Sequence, residues 1–106
     1  AEEGLAAALE ELSEQAPRLV PRALPSGRFP SDVESAAYFA TLESLRLTPH
    51  DVTVDVVAEQ GRLVLLIGAG TPSCSAMLQI QDRVGAAGGT ASVCDGQLRV
   101  EMPCAW

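Results

Sequence analysis

The run from Ser31 to Leu47 most constrains what this chain can fold into. Val33, Ala36, Ala37, Tyr38, Phe39, Ala40, Leu42, Leu45 and Leu47 leave so little polar surface that the run reads as one helix covered on more than one side. Ser31 and Glu34 have the spacing of a capping box. In that arrangement the hydroxyl accepts from a free first-turn amide and the carboxylate reaches back to the cap residue. Glu43 stands out, because an acid on an apolar helix is costly to desolvate unless it is paired, at a rim or facing a cavity. It is the first candidate for a functional side chain, as a general base, with pairing to Arg46 at i+3 or to another arginine as the structural alternative.

The segments on either side supply the layers around this helix. Leu5, Leu9 and Leu12 recur at i, i+4, i+7 with glutamates between them, which predicts an amphipathic helix over 2–15 stopped by Pro17. Pro21 demotes the short apolar run 18–24 to an edge strand. Val52, Val54 and Val56 alternate with Thr53 and Asp55 as in a half-buried strand. Glu59, Gln60 and Gly61 turn the chain into a denser apolar strand over 62–67, expected to lie more centrally. Met77, Leu78, Ile80 and Val84 mark a third helix from about Ser75, closed by Gly88 and Gly89. A last hairpin, 90–94 and 97–102, turns at Asp95-Gly96, a pair suited to a type I′ turn. This order predicts an α+β two-layer sandwich: a mixed, mainly antiparallel sheet with three helices on one face.

At 106 residues the chain is expected to be one domain. A net charge of −7 argues against nucleic acid or an anionic membrane surface as partner. With no apolar run long enough to cross a bilayer and no leader, a cytoplasmic piece of a larger chain is expected. Cys74, Cys94 and Cys104 lack both paired spacing and neighbouring histidines. They read as structural thiols in a reducing compartment, and no metal site is expected. His50 reads as a solvent-facing loop residue, and Asp82 and Arg83 as a solvated helix face. Gly68-Ala69-Gly70 lacks the spacing and the lysine of a phosphate loop and reads as a plain connection.

Several segments, in order, resemble the ATP-binding domain of sensor histidine kinases, in particular the nitrate-sensor-like subfamily common in actinobacteria. Positions 4–12 resemble its opening helix. The run 32–45, with Ala37-Tyr38-Phe39 and Glu43-Ser44-Leu45, resembles its central helix. Arg62-Leu63-Val64 resembles the strand before the adenine-contacting loop, Ile80-Gln81-Asp82-Arg83-Val84 with Gly88-Gly89 its third helix, and 98–103 its last strand. The resemblance implies a Bergerat-like sandwich and places the family's nucleotide motifs on particular residues. Glu43 takes the general-base position. The asparagine that holds Mg²⁺, four residues on, falls on Leu47, which has no oxygen for a hard cation. The adenine-accepting aspartate falls on Ala69 and the first glycine of its motif on Thr71. The glycine-rich boundary of the ATP lid falls on Cys74, Ser75, Ala76 and Met77, and the lid is cut to Thr71, Pro72 and Ser73.

The resemblance therefore implies a degenerate domain in two-component signalling, with no cofactor expected. It would act as a regulatory or docking module, with kinase dimerisation helices or a response regulator as partner. The alternative is a working catalytic domain that holds ATP and Mg²⁺ and donates the γ-phosphate to a histidine elsewhere, with Glu43 retained for that purpose. Leu47 and Met77 are expected to fill the space between the central helix and the 68–77 segment, because an empty apolar cavity forfeits packing contacts.

Overall fold

The computed structural model describes residues 4–25, 27–48, 50–68 and 74–104, Cys74 by its backbone alone. The described elements run α1 (Leu5–Gln15), β1 (Leu19–Ala23), α2 (Ser31–Leu47), β2 (Val52–Glu59), β3 (Arg62–Gly68), α3 (Cys74–Ala86), β4 (Thr90–Cys94) and β5 (Gln97–Pro103). They form a sheet in the order β1-β2-β3-β5-β4. The β1–β2 pair is parallel and the other three pairs are antiparallel.

Two helical crossovers explain the mixed sheet. From β1 the chain passes through α2 and returns as β2 alongside it, which a tight turn could not achieve. Because β3 and β4 are each antiparallel to β5, they run parallel to each other with β5 inserted between them, and α3 makes the crossover. Both hairpins turn where the sequence places them. Gln60 and Gly61 have φ of 47° and 76°, and Asp95 and Gly96 have φ of 54° and 74°, the positive pair that a type I′ turn needs. Pro21 sits in β1 at the sheet edge, and the register slips between Pro21 and Ala23.

The period of two along the strands builds the core. Val52, Val54 and Val56 of β2, Leu63, Leu65 and Ile67 of β3, and Leu98, Val100 and Met102 of β5 are buried against the helices in one cluster. Leu5, Leu9 and Leu12 of α1, Val33, Ala36, Ala37 and Ala40 of α2, and Ile80 and Val84 of α3 close the other side. The alternate strand residues carry charge: Glu101 bridges Arg62 at 3.0 Å and Arg99 at 3.3 Å on the opposite sheet face. The architecture is thus a two-layer α+β sandwich.

The helix ends show one departure from the sequence reading. Ser31 is the first helical residue rather than the cap, Pro30 holds the cap position, and no side chain caps there. Pro30 has no N–H to offer, so the Glu34 carboxylate reaches past it and accepts from Phe29 N–H at 3.1 Å. The expected Ser31 hydroxyl bond is absent, and Asp32 Oδ1 accepts from Val33 N–H at 3.0 Å instead. At the far end of α3, Gly88 has a φ of 82°. Gly88 N–H donates to Gly85 and Gly89 N–H to Val84, both at 2.9 Å, a Schellman pair that closes the helix where Gly88 and Gly89 predict it.

Candidate functional site

Helix α2 lies between α1 and α3 and carries every candidate position that precedes the 69–73 segment. It is mostly buried despite two hydroxyls, because Thr41 donates to Ala37 O at 3.0 Å and Ser44 to Ala40 O at 2.9 Å. Glu43 is 7% exposed, and its carboxylate lies 3.7 Å from the Arg46 guanidinium, the i+3 partner that the spacing offers. One turn on, Leu47 is 45% exposed. It does not fill a cavity as expected. It ends the helix, and the backbone turns extended at Thr48, which leaves its side chain outside the core. Met77 is half-buried against the core and Ala76 is buried. Ala69 and Thr71 lie outside the described residues, as do Gly70, Pro72 and Ser73, and of Cys74 only the backbone in the first turn of α3 is described.

The side chains of Leu47, Ala76 and Met77 offer no oxygen to a magnesium ion or a triphosphate, and the Glu43 carboxylate faces a cation already. Among the described residues no three acids, cysteines or histidines gather to hold a metal. No helix is long and apolar enough to cross a membrane. His50 is exposed, as expected of a loop histidine. Cys104 is buried and its thiol is pushed up by burial, fitting a structural role, whereas Cys94 is exposed and corrects that expectation. Its place in β4 explains the difference: the period of two turns Ala91 inward and Ser92 and Cys94 outward.

A concavity lies elsewhere. A groove of about 740 Å³ runs between α1 and α2, with Ala8, Glu11 and Leu12 on one wall and Tyr38, Phe39 and Leu42 on the other, and Arg83 of α3 at its edge. The Arg83 guanidinium lies 4.4 Å from the centre of the Phe39 ring, a cation–π contact that tethers it over the apolar wall. Neither Glu43 nor Leu47, Ala76 or Met77 lines this groove. Sequence reasoning missed it. The available signal was the surplus of large apolar residues on α2, Tyr38, Phe39 and Leu42 among them, beside a short first helix with few large side chains to cover them.

Glu34 closes one end of the groove and ties three segments together. It is buried, and Arg28 Nε and Nη2 each donate to its carboxylate at 3.3 Å alongside the Phe29 amide. Burial alone would push its pKa up. The Arg28 bonds, the Phe29 N–H, the Arg28 charge and the Leu5 N–H together outweigh that and hold it below its ordinary value. The Leu5 N–H contributes to that lowering from the start of α1, whose Gly4 cap has no side chain and whose first turn has no acid. Glu34 supplies the anion at that helix N-terminus from a different helix.

No family model and no curated protein matches this sequence. Solved structures do match it. The Acinetobacter baumannii histidine kinase AdeS aligns with a TM-score of 0.61 at 14% identity, covering 96% of this chain and 62% of that one. The Erythrobacter litoralis EL346 blue-light activated histidine kinase aligns with a TM-score of 0.64 at 14% identity, covering 94% of this chain and 42% of that one. The mycobacterial sensor histidine kinase MprB aligns with a TM-score of 0.50 at 13% identity over 94% and 93% of the two chains. This chain thus spans less than two thirds of the first two structures. The three-helix, five-strand sandwich described above is a histidine-kinase-like fold.

Proposed function

We propose that this chain is a degenerate histidine-kinase ATPase-like domain of two-component signalling, in the cytoplasm, that acts as a regulatory or docking module and does not bind ATP. The observation that carries this reading is the end of α2. A family member needs a carboxylate and, one turn on, a magnesium ligand there. This chain has Glu43 paired with Arg46, followed by the half-exposed hydrocarbon of Leu47. Ala69 at the adenine-acceptor position and Met77 at the lid boundary support it from the sequence. A buried adenine amino group without its acceptor costs roughly 1–3 kcal/mol, and the missing magnesium oxygen adds to that loss. The fold supports the choice of family, and kinase dimerisation helices or a response regulator are the partners it fits.

Calorimetric titration with a non-hydrolysable ATP analogue, with and without Mg²⁺, tests the reading. No heat and no thermal shift up to millimolar analogue is the expected result. Saturable, Mg²⁺-dependent binding would overturn it and return the chain to the working kinases, with Glu43 as the retained catalytic carboxylate.

A further inference from the structure

The groove between α1 and α2 gives the docking reading a place and a chemistry. Two rows of side chains at helical spacing face each other across it, Ala8, Glu11 and Leu12 against Ser35, Tyr38 and Leu42. The small side chain of Ala8 keeps the α1 wall low, and Tyr38, Phe39 and Leu42 remain only half-buried in the free chain. The 11 residues of α1 make the wall about 16 Å long, room for roughly three turns of a helix laid alongside.

Charge says what kind of helix. Glu11 lines the groove and Glu14 follows it at i+3 on α1; both are exposed and neither forms an ion pair with a described residue, so they place negative charge along the α1 side. The other side ends in Arg83. We propose that this groove seats one amphipathic helix of a partner protein. The helix's apolar stripe lies on Ala8, Tyr38 and Leu42, and its arginine- or lysine-bearing edge runs along α1. This is helix-in-groove recognition with an electrostatic register. A second copy fits worse, because a two-fold contact across this groove brings the acidic side of one α1 near that of the other. The proposal rests on the docking reading for its biological sense, but the groove itself can be tested without nucleotide.

The probe is a 15-residue peptide with leucines at i, i+4, i+7 and i+11 and arginines on one flanking edge. Its control replaces the arginines with glutamates. Both are titrated against the intact chain and followed by amide resonances. The arginine peptide should bind saturably with shifts confined to α1, α2 and Arg83. The glutamate peptide should bind at least tenfold more weakly. Leu42→Glu should weaken the arginine peptide tenfold or more, as should Glu11→Gln with Glu14→Gln, whose folding is not at issue because both side chains are exposed. Asp95→Asn, which removes an acid on the β4–β5 turn, should leave binding unchanged. Shifts spread over the whole surface, equal loss with Asp95→Asn, or unchanged binding by both groove variants would overturn the proposal. So would a dimer of the free chain that Leu42→Glu dissolves, which would assign the groove to a second copy. ATP binding together with peptide binding would remove the nucleotide-free reading and leave the groove standing, whereas neither ligand binding would remove the groove alone.

Discussion

Arg18 is the residue whose loss should cost this fold most for a side chain that is not in the core. It precedes β1, yet its guanidinium reaches the far end of α2: Nη2 donates to Leu45 O at 2.9 Å, and Nη1 donates to Thr48 O and to His50 O, the last at 3.0 Å. Leu45 belongs to the last turn of α2, whose carbonyls have no partner within the helix. Arg18 O in turn accepts from Val52 N–H at 2.8 Å, so one residue fixes the helix end and the first rung of the β1–β2 pair. Arg18→Met keeps most of the stem and removes every donor. The His50 carbonyl is exposed and will take water. The two half-buried bonds, at about 1.5 kcal/mol each for a charged donor, set the cost at about 3 kcal/mol. For a domain of this length that is a fall in Tm of about 12 °C. Arg18→Lys retains the charge at the helix terminus but cannot span separate carbonyls, so it should lie about midway. Urea unfolding of the three proteins measures both steps. A loss below about 1 kcal/mol for Arg18→Met, or a lysine variant as stable as the parent, would refute the reasoning that the fork geometry rather than the charge does the holding.

Three further outcomes follow from the same structure. The Glu34 carboxyl titrates below its ordinary value of 4.5 in the folded chain, so its ionised form contributes stability that is complete above the unfolded value and is lost as pH falls through the folded one. Glu34→Gln should therefore flatten the decline of Tm below pH 4.5, and an unchanged acid limb would contradict this. A methyl group at Gly89 would meet Glu101 O at 2.2 Å, so Gly89→Ala should destabilise by about 1–3 kcal/mol; Gly85, exposed in the last turn of α3 with open space around it, should gain about 0.5–1 kcal/mol on becoming alanine, and paired denaturation curves of opposite sign are the check. The Glu43–Arg46 contact is a single i,i+3 pair with a largely exposed guanidinium, so Glu43→Gln should cost at most about 0.5 kcal/mol, and a double-mutant cycle with Arg46→Gln should return a coupling of the same small size.

The elements that local chemistry determines were legible in the chain. Asp95-Gly96 and Gln60-Gly61 specify their turns because few residue pairs tolerate two positive φ angles, and the alternation at 52–56 specifies which face of β2 is buried. Pro21 identified an edge strand, since a missing N–H is tolerated only where no neighbour needs it. The start of α2 was legible only in part. Ser31 and Glu34 have capping spacing, but Pro30 removes the amide that the carboxylate would have met, and Glu34 found Phe29 instead. A spacing rule treats the cap residue as a generic donor, and proline is the one residue that is not.

The candidate site was less legible, because side chains far apart in the chain decide its form. That the Glu34 carboxylate would meet the start of α1, or that Arg83 would lie over Phe39, depends on how three helices come together on the sheet, which no local pattern encodes. Leu47 shows the limit from the other direction. An apolar residue at helical spacing was expected to be core, yet a helix has only as much buried face as its neighbours cover, and the last residue of α2 lies beyond them. The same accounting applies to the groove. Tyr38, Phe39 and Leu42 are as apolar as the residues that did find cover, and they differ in lining the gap between α1 and α2, where Ala8 stands between Leu5 and Leu12. A helix that holds three large apolar side chains half in water beside unpaired acids forgoes burial energy in the free chain. Partner binding would recover that energy, and this is why the groove between α1 and α2 is where a docking function should be sought.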